Sequence, residues 1–304
     1  MSDFTTLIVH PDQSVSFKVP GHDPMTPETW HSIIHDLDQL FTCDPERQVV
    51  TLTHQDTPLS AVFAETLPLL DGQLSRQAFY QLPLVWHQHT PSSNYPLQRI
   101  QSNAQYRHHP LRPPMPQGYV YKRYDNEAAA EVSFRTINLE QDLARFTRWM
   151  NDPRVAEFWE QAWSEEALAA FLNERLADPH ILPLIGEFNG QPFGYVEAYW
   201  VAEDRLSPYF DVQDFDRGIH LLVGESAFRG PTYFNAWIRA ISHYLFIDDI
   251  RTQRIVLEPR ADNQRLFNRI IPMGYRKQFE FNFPHKRSAL LMLNRESFFT
   301  ERWS

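Results

Sequence analysis

Two ionisable residues stand where a buried strand ordinarily needs none. His220 interrupts the run Arg217-Gly218-Ile219-His220-Leu221-Leu222-Val223-Gly224, and Glu258 follows Val256-Leu257 just before Pro259-Arg260. Each segment reads as a short apolar strand that runs into a loop and then a helix. Set side by side in parallel, two such strands bring an imidazole and a carboxylate to one cleft, above a helix N-terminus. A positioned proton acceptor typically contributes about 10²–10⁴-fold to a rate. A helix N-terminus attracts phosphate through its free amides and dipole. Spacing alone favours the plainer readings: His220 as a core histidine bonded to a backbone carbonyl, and Glu258 as a strand-end carboxylate paired with Arg254 or Arg260.

The flanking pattern supplies the elements that would hold these residues. Val132 to Thr136 reads as a strand. Leu139, Leu143, Phe146 and Trp149 form a helical stripe that ends at Asp152-Pro153. Ser164 can cap a second helix carrying Glu165 and Glu166 in its first turn. Residues 183–188 and 193–201 flank Asn189-Gly190, a strong hairpin signal. Ile219 to Val223 is a strand, and Pro231 suits the first turn of a helix reaching Ile247. Arg254 to Glu258, Asn263 to Ile270, Tyr275 to Phe281 and Ser288 to Leu293 follow as strand, helix, strand and strand. Residues 1–90 predict a smaller α/β unit with strands at Leu7–Val9, Val15–Val19 and Gln48–Thr53 and a helix over Thr26–Phe41. Residues 91–117 hold six prolines and read as a linker. Residues 118–304 form the second domain.

Composition narrows the function classes. The 304 residues carry a net charge of −10, which disfavours broad nucleic-acid binding. Cys43 is the only cysteine, so no intramolecular disulfide forms and a reducing, cytoplasmic setting is expected. No signal-peptide core or membrane-length apolar run is evident. His87-Gln88-His89 and Arg107-His108-His109 invite a metal reading. Neither has a third carboxylate or thiolate at ligand spacing in the sequence, so no metal is expected. No P-loop, zincin motif or serine-hydrolase elbow is present.

The order β-α-α-β-β-β-α-β-α-β-β over about residues 118–295 resembles the GNAT acyltransferase fold, an α/β (α+β) architecture with a mixed, mostly antiparallel sheet. The resemblance narrows at Arg148-Trp149-Met150-Asn151-Asp152-Pro153-Arg154-Val155 with Phe158-Trp159, at Tyr195 to Asp204, at the His220 and Glu258 segments, and at Phe283-Pro284-His285-Lys286-Arg287-Ser288. These segments are similar to the siderophore-biosynthesis N-acyltransferases, which acylate hydroxylated amines.

That resemblance implies acyl transfer from acetyl-CoA to N6-hydroxylysine by direct attack in a ternary complex, giving a hydroxamate of the aerobactin type. The alternatives are succinyl- or acetyl-transfer to N-hydroxyputrescine or N-hydroxycadaverine, or a non-catalytic acyl-CoA-binding partner of a siderophore synthetase. A synthetase or amine monooxygenase is the implied protein partner, and an oligomer remains open. The resemblance assigns His220 and Glu258 to catalysis, without deciding which is the base. It assigns backbone groups of Leu222 and Val223, together with Arg229, Gly230, Thr232, Asn263 and Phe267, to the acyl-CoA. Only Gly230 of Ala227 to Thr232 fits the family's phosphate loop cleanly, which keeps the non-catalytic alternative open. Glu197, Trp200, Glu203 and Trp159 are expected around the acceptor amine, with salt bridges and core packing as their plainer roles. Lys286 or Arg287 would meet the 3′-phosphate, with an exposed charged turn as the alternative. Cys43 lies outside the resembling region, so no acyl-cysteine is implied.

Overall fold

The computed structural model describes residues 6–9, 15–18, 27–54, 66–83, 85–102 and 107–302. Val19 and Thr26, expected at a strand end and a helix start, lie outside the described residues. The chain divides into two compact units, Met1–Val85 with Phe299–Ser304, and Trp86–Phe298. The Pro-rich stretch 91–117 belongs to the larger unit.

In the smaller unit, strands β1 (Thr6–Val9), β2 (Val15–Lys18), β3 (Val49–His54) and β4 (Gln73–Ser75) form one sheet in that order. Helices α1 (Pro27–Cys43) and α2 (Arg76–Tyr80) accompany it. Ile33, Ile34, Leu37 and Phe41 of α1 are fully buried, as are Phe79 and Tyr80 of α2. Their i, i+1, i+4, i+8 spacing puts these α1 residues on one apolar stripe.

The larger unit opens with a two-stranded ribbon, β5 (Arg99–Ser102) and β6 (Arg107–Pro110). Its main body runs β7 (Tyr119–Asp125), β8 (Ala130–Thr136), α3 (Leu139–Met150), α4 (Pro153–Trp159), α5 (Glu165–Ala177), β9 (Ile181–Phe188), β10 (Gln191–Trp200), β11 (Arg217–Val223), α6 (Pro231–Asp248), β12 (Arg254–Leu257), α7 (Gln264–Ile270), β13 (Arg276–Asn282) and β14 (Arg287–Asn294). The eight strands order as β13-β14-β12-β11-β10-β9-β8-β7. The β11–β12 pair is parallel and its neighbours are antiparallel. The sheet is therefore mixed and mostly antiparallel, as expected.

Local chemistry explains the boundaries. Asp152-Pro153 is a helix stop and also a start. The Asp152 carboxylate accepts from Arg154 N at 3.0 Å, and Pro153 opens α4, where its missing N–H costs nothing. Ser164 Oγ accepts from Ala167 N at 3.3 Å and starts α5. Asn189 and Gly190 carry φ of 49° and 73°, the left-handed pair that a two-residue hairpin turn requires. The helices α3 and α5 pack Phe146, Trp149, Phe171 and Leu172 against Ile185, Tyr195 and Leu222 of the sheet. That packing fixes the face on which the chemistry sits.

Candidate active site

Strand alternation and one point of divergence build the site. β10 pairs with β11 so that Tyr195, Glu197 and Tyr199 lie opposite Leu222, His220 and Gly218. Because side chains alternate, these residues share a face. β11 and β12 pair only through Arg217↔Ile255 and Gly218↔Val256 among the described residues. Two positions further along each strand stand His220 and Glu258, where the strands part.

The imidazole spans this gap. His220 Nε2 lies 2.7 Å from Glu258 Oε1, and Nδ1 lies 3.0 Å from Glu197 Oε2. Both carboxylates are nearly sealed, while the His220 side chain keeps 25% of its surface exposed. Tyr199 donates to Glu258 Oε2 at 2.9 Å, and Tyr195 to Glu197 Oε1 at 3.0 Å. Arg175 of α5 brings its Nε to 3.3 Å from Glu197 Oε1. Gly218 admits the Tyr199 ring: a Cβ there would stand 2.0 Å from its Cζ. Any other residue would push the phenol off Glu258.

Charges follow from this geometry. Burial disfavours an imidazolium, but Glu258's charge and the hydrogen bonds to both carboxylates outweigh it and raise the His220 pKa to about 10. Burial pushes Glu258 up, yet the charged imidazole beside it holds its carboxyl well below the usual range. Glu197 is likewise lowered, with burial opposed by His220 and Arg175. The resting arrangement is carboxylate–imidazolium–carboxylate.

The remaining candidates divide. Trp159 lies at the site, its ring centroid 6.5 Å from that of His220 and its Nε1 donating to the Leu221 carbonyl at 3.3 Å. Trp200 does not. It pairs with Arg217, on the opposite face from His220, and lies between the guanidinium groups of Arg112 and Arg217 at 4.3 and 3.9 Å. Glu203 is gripped by Arg112 through bonds of 2.5 and 2.7 Å and lies 2.9 Å from His109 Nδ1, leaving little capacity for a substrate ammonium.

Leu222 and Val223 lie on the part of β11 that has left β12, where an extended chain can run along the freed edge. Gly230 is the N-cap of the 18-residue α6, and no side chain caps that end. Its first-turn amides, beside Arg229 and Thr232, suit a pyrophosphate. Asn263 caps α7, accepting from Leu266 N at 3.1 Å, and Phe267 is buried, so both have structural employment. Lys286 Nζ donates to the Glu258 backbone carbonyl at 3.0 Å, close to the acid instead of in an open turn. The residues that sequence reasoning missed are Tyr195, Tyr199 and Arg175. The two tyrosines carried a signal, since Tyr195-x-Glu197-x-Tyr199 has the period of one strand face.

A parted parallel strand pair, an uncapped helix start that follows its first strand in the chain and an acid–base group at the fork are the parts of an acyl-CoA-dependent acyltransferase. Residues 138–283 match the acetyltransferase (GNAT) domain model. The chain is 44% identical over 296 residues to the N(6)-hydroxylysine O-acetyltransferase of Escherichia coli, covering 95% of this chain and 90% of that protein. It therefore belongs to the GNAT acyltransferases, in the branch that holds this enzyme. It is also 37% identical over 195 residues to an N(5)-hydroxyornithine:cis-anhydromevalonyl coenzyme A-N(5)-transacylase of Beauveria bassiana, covering 63% of this chain and 43% of that one. Among solved structures, an aminoglycoside acetyltransferase AAC(6')-Ib in complex with coenzyme A superposes with a TM-score of 0.50 at 24% identity, covering 55% of this chain and 96% of its own. That likeness concerns the fold. No helix among the described residues is long and apolar enough to cross a membrane.

Proposed function

We propose that this protein transfers an acetyl group from acetyl-CoA to the hydroxylated nitrogen of N6-hydroxylysine, releasing CoA and a hydroxamate. The observation that carries the reading is the Glu197–His220–Glu258 array at the strand fork. The neutral hydroxylamine nitrogen attacks the thioester carbonyl, forming a C–N bond and a tetrahedral oxyanion. The nitrogen becomes cationic and strongly acidic at that moment, so a weak base suffices to remove its proton. The Glu258–His220 pair accepts that proton, Glu258 being its basic member and His220 the member open to the gap. His220, held as an imidazolium, offsets the developing negative charge. The C–S bond then breaks, and the CoA thiolate takes a proton from the Glu258–His220 pair. Trp159 walls the acceptor's aliphatic stem, and the first turn of α6 holds the pyrophosphate. Cytoplasmic placement and a siderophore synthetase that consumes the product fit this reading.

The name of the Escherichia coli relative, an O-acetyltransferase, favours a second regiochemistry, an ester on the hydroxyl oxygen. A matrix of acetyl- and succinyl-CoA against N6-hydroxylysine, N-hydroxyputrescine and N-hydroxycadaverine, read by product mass, identifies the pair. Ferric ion separates the products: a hydroxamate gives a stable coloured complex and an O-ester does not. Acyl-CoA binding with no turnover on any hydroxylated amine would leave the chain a binder and sink the proposal.

A further inference from the structure

On the face of the large sheet away from His220 lies a small, partly open cavity of about 50 Å³, lined in part by His89, Trp200, Arg217, Tyr244 and Asp248. Its charged wall has an arrangement that core packing does not require. His87 Nδ1 faces the His89 carbonyl at 2.6 Å, and His89 Nδ1 faces the Thr90 carbonyl at 2.9 Å. A carbonyl only accepts, so both Nδ1 atoms must be N–H donors. That leaves both Nε2 atoms facing inward, as backbone carbonyls commonly do for metal-bound histidines, although His89 Nε2 also accepts from the Tyr244 hydroxyl at 2.9 Å, a bond an ion would have to replace. His87 Nε2 lies 3.0 Å from Asp248 Oδ1, and His89 Nε2 lies 3.7 Å from the same oxygen. The three ligand atoms fall within 4.8 Å of one another.

Donor accounting sharpens the point. With Nδ1 of His87 committed as a donor, its Nε2 faces a carboxylate oxygen that also only accepts. A cation must sit between them, either a second proton on a ring whose side chain is 1% exposed or a metal ion. The carboxylate is prepared for either. Ser92 donates to Asp248 through its N–H at 3.2 Å and its hydroxyl at 2.8 Å. Arg217 Nη1 holds Oδ2, the oxygen turned from the histidines, at 3.1 Å. Arg217 repels a metal ion, and this weakens the site. The guanidinium also lines the cavity, and its Nε is buried without a hydrogen-bond partner among the described residues. A water, hydroxide or small anion completing the coordination would find a donor there.

We infer that His87, His89 and Asp248 form a site for a zinc-like divalent ion, separate from the acyl-transfer centre. Two imidazoles and one carboxylate suit Zn²⁺, with the fourth position open to the cavity. Its location fits a structural tie. Asp248 ends α6 while both histidines lie on the segment that precedes β7, so one ion joins elements about 160 positions apart in sequence. The acyl-transfer chemistry needs no part of it, so this inference stands or falls independently of the proposed function.

The test uses the full chain, stripped with a chelator, reloaded with Zn²⁺ and desalted. Metal analysis should find about one Zn²⁺ per chain. Thermal unfolding should rise on the order of 5 °C with saturating Zn²⁺. Co²⁺ in its place should give the strong visible absorption of a four-coordinate ion. The informative variant is His89→Gln, which removes one ligand and leaves the His87–Asp248 pair in place. It should retain less than a tenth of the wild-type metal while unfolding cooperatively. Reloaded wild type with no metal above background, or His89→Gln with wild-type stoichiometry, overturns the inference.

Discussion

Two carboxylate–imidazole networks lie back to back across the large sheet, and they use the same residue types for opposite ends. At His220 one imidazole stands between two carboxylates, on strands that have parted, with a quarter of its surface open. At Asp248 one carboxylate is held at Oδ2 by Ser92 and Arg217, with the His87 and His89 imidazoles facing Oδ1. The first arrangement holds a mobile proton next to a gap that a substrate can enter. The second spends its hydrogen-bonding capacity on holding the chain together. The difference lies in the balance of donors to acceptors and in access, not in which residues are present.

The largest effect that tests this contrast is on stability. Asp248→Asn leaves the Arg217 guanidinium without its charge partner in the interior. It should cost about 3–5 kcal/mol, as breaking a buried pair does, read as a fall in the denaturation midpoint. A loss below about 1 kcal/mol would remove the distinction drawn here.

His220→Ala should lower kcat by at least about 10²-fold while the circular dichroism stays native. Near-normal turnover would take His220 out of the mechanism.

The third prediction concerns pH. The folded His220 pKa is raised from 6.5 to about 10. If the imidazolium is the working form, kcat/KM holds through neutral pH and falls as pH rises toward 10. A rise over that range would instead make neutral His220 the base. The same proton carries stability, with the sign of a raised pKa. The ion-pair contribution is complete below about pH 6.5 and is lost as pH rises through about 10. Glu197→Gln removes one of the two carboxylates that raise this pKa, so it should move the falling limb to lower pH with a smaller change in rate at pH 7. An unmoved limb would show that Glu197 does not set the proton.

The smallest effect expected is none. Cys43 is exposed and lies in the smaller unit, so Cys43→Ser should leave turnover unchanged. A large loss would revive an acyl-cysteine intermediate.

Much of the larger unit was legible because its signals are local. Asn189-Gly190 specifies a tight turn through backbone sterics. Ser164 and Pro231 mark helix starts, and the apolar stripe of Leu139, Leu143, Phe146 and Trp149 carries the helical period. β7 and α4 carry weaker signals. The alternation in β7 is broken by charge, and Asp152-Pro153 both ends one helix and begins the next. Within the site, the types and strand positions of His220 and Glu258 were readable, as was the one-face spacing of Tyr195, Glu197 and Tyr199. Their pairing was not, since it depends on register between strands that are far apart in sequence. One residue of slip would send His220 to the other face. Tertiary structure alone turned Glu197 from a substrate contact into a partner of His220 and buried Glu203 against Arg112. It also brought Asp248 to His87 and His89, supplying the third ligand atom that their neighbourhood in sequence lacks. Sequence by itself determined the elements and the reactive groups. Only the fold decided which of those groups meet, because burial and charge pairing act through space and not along the chain.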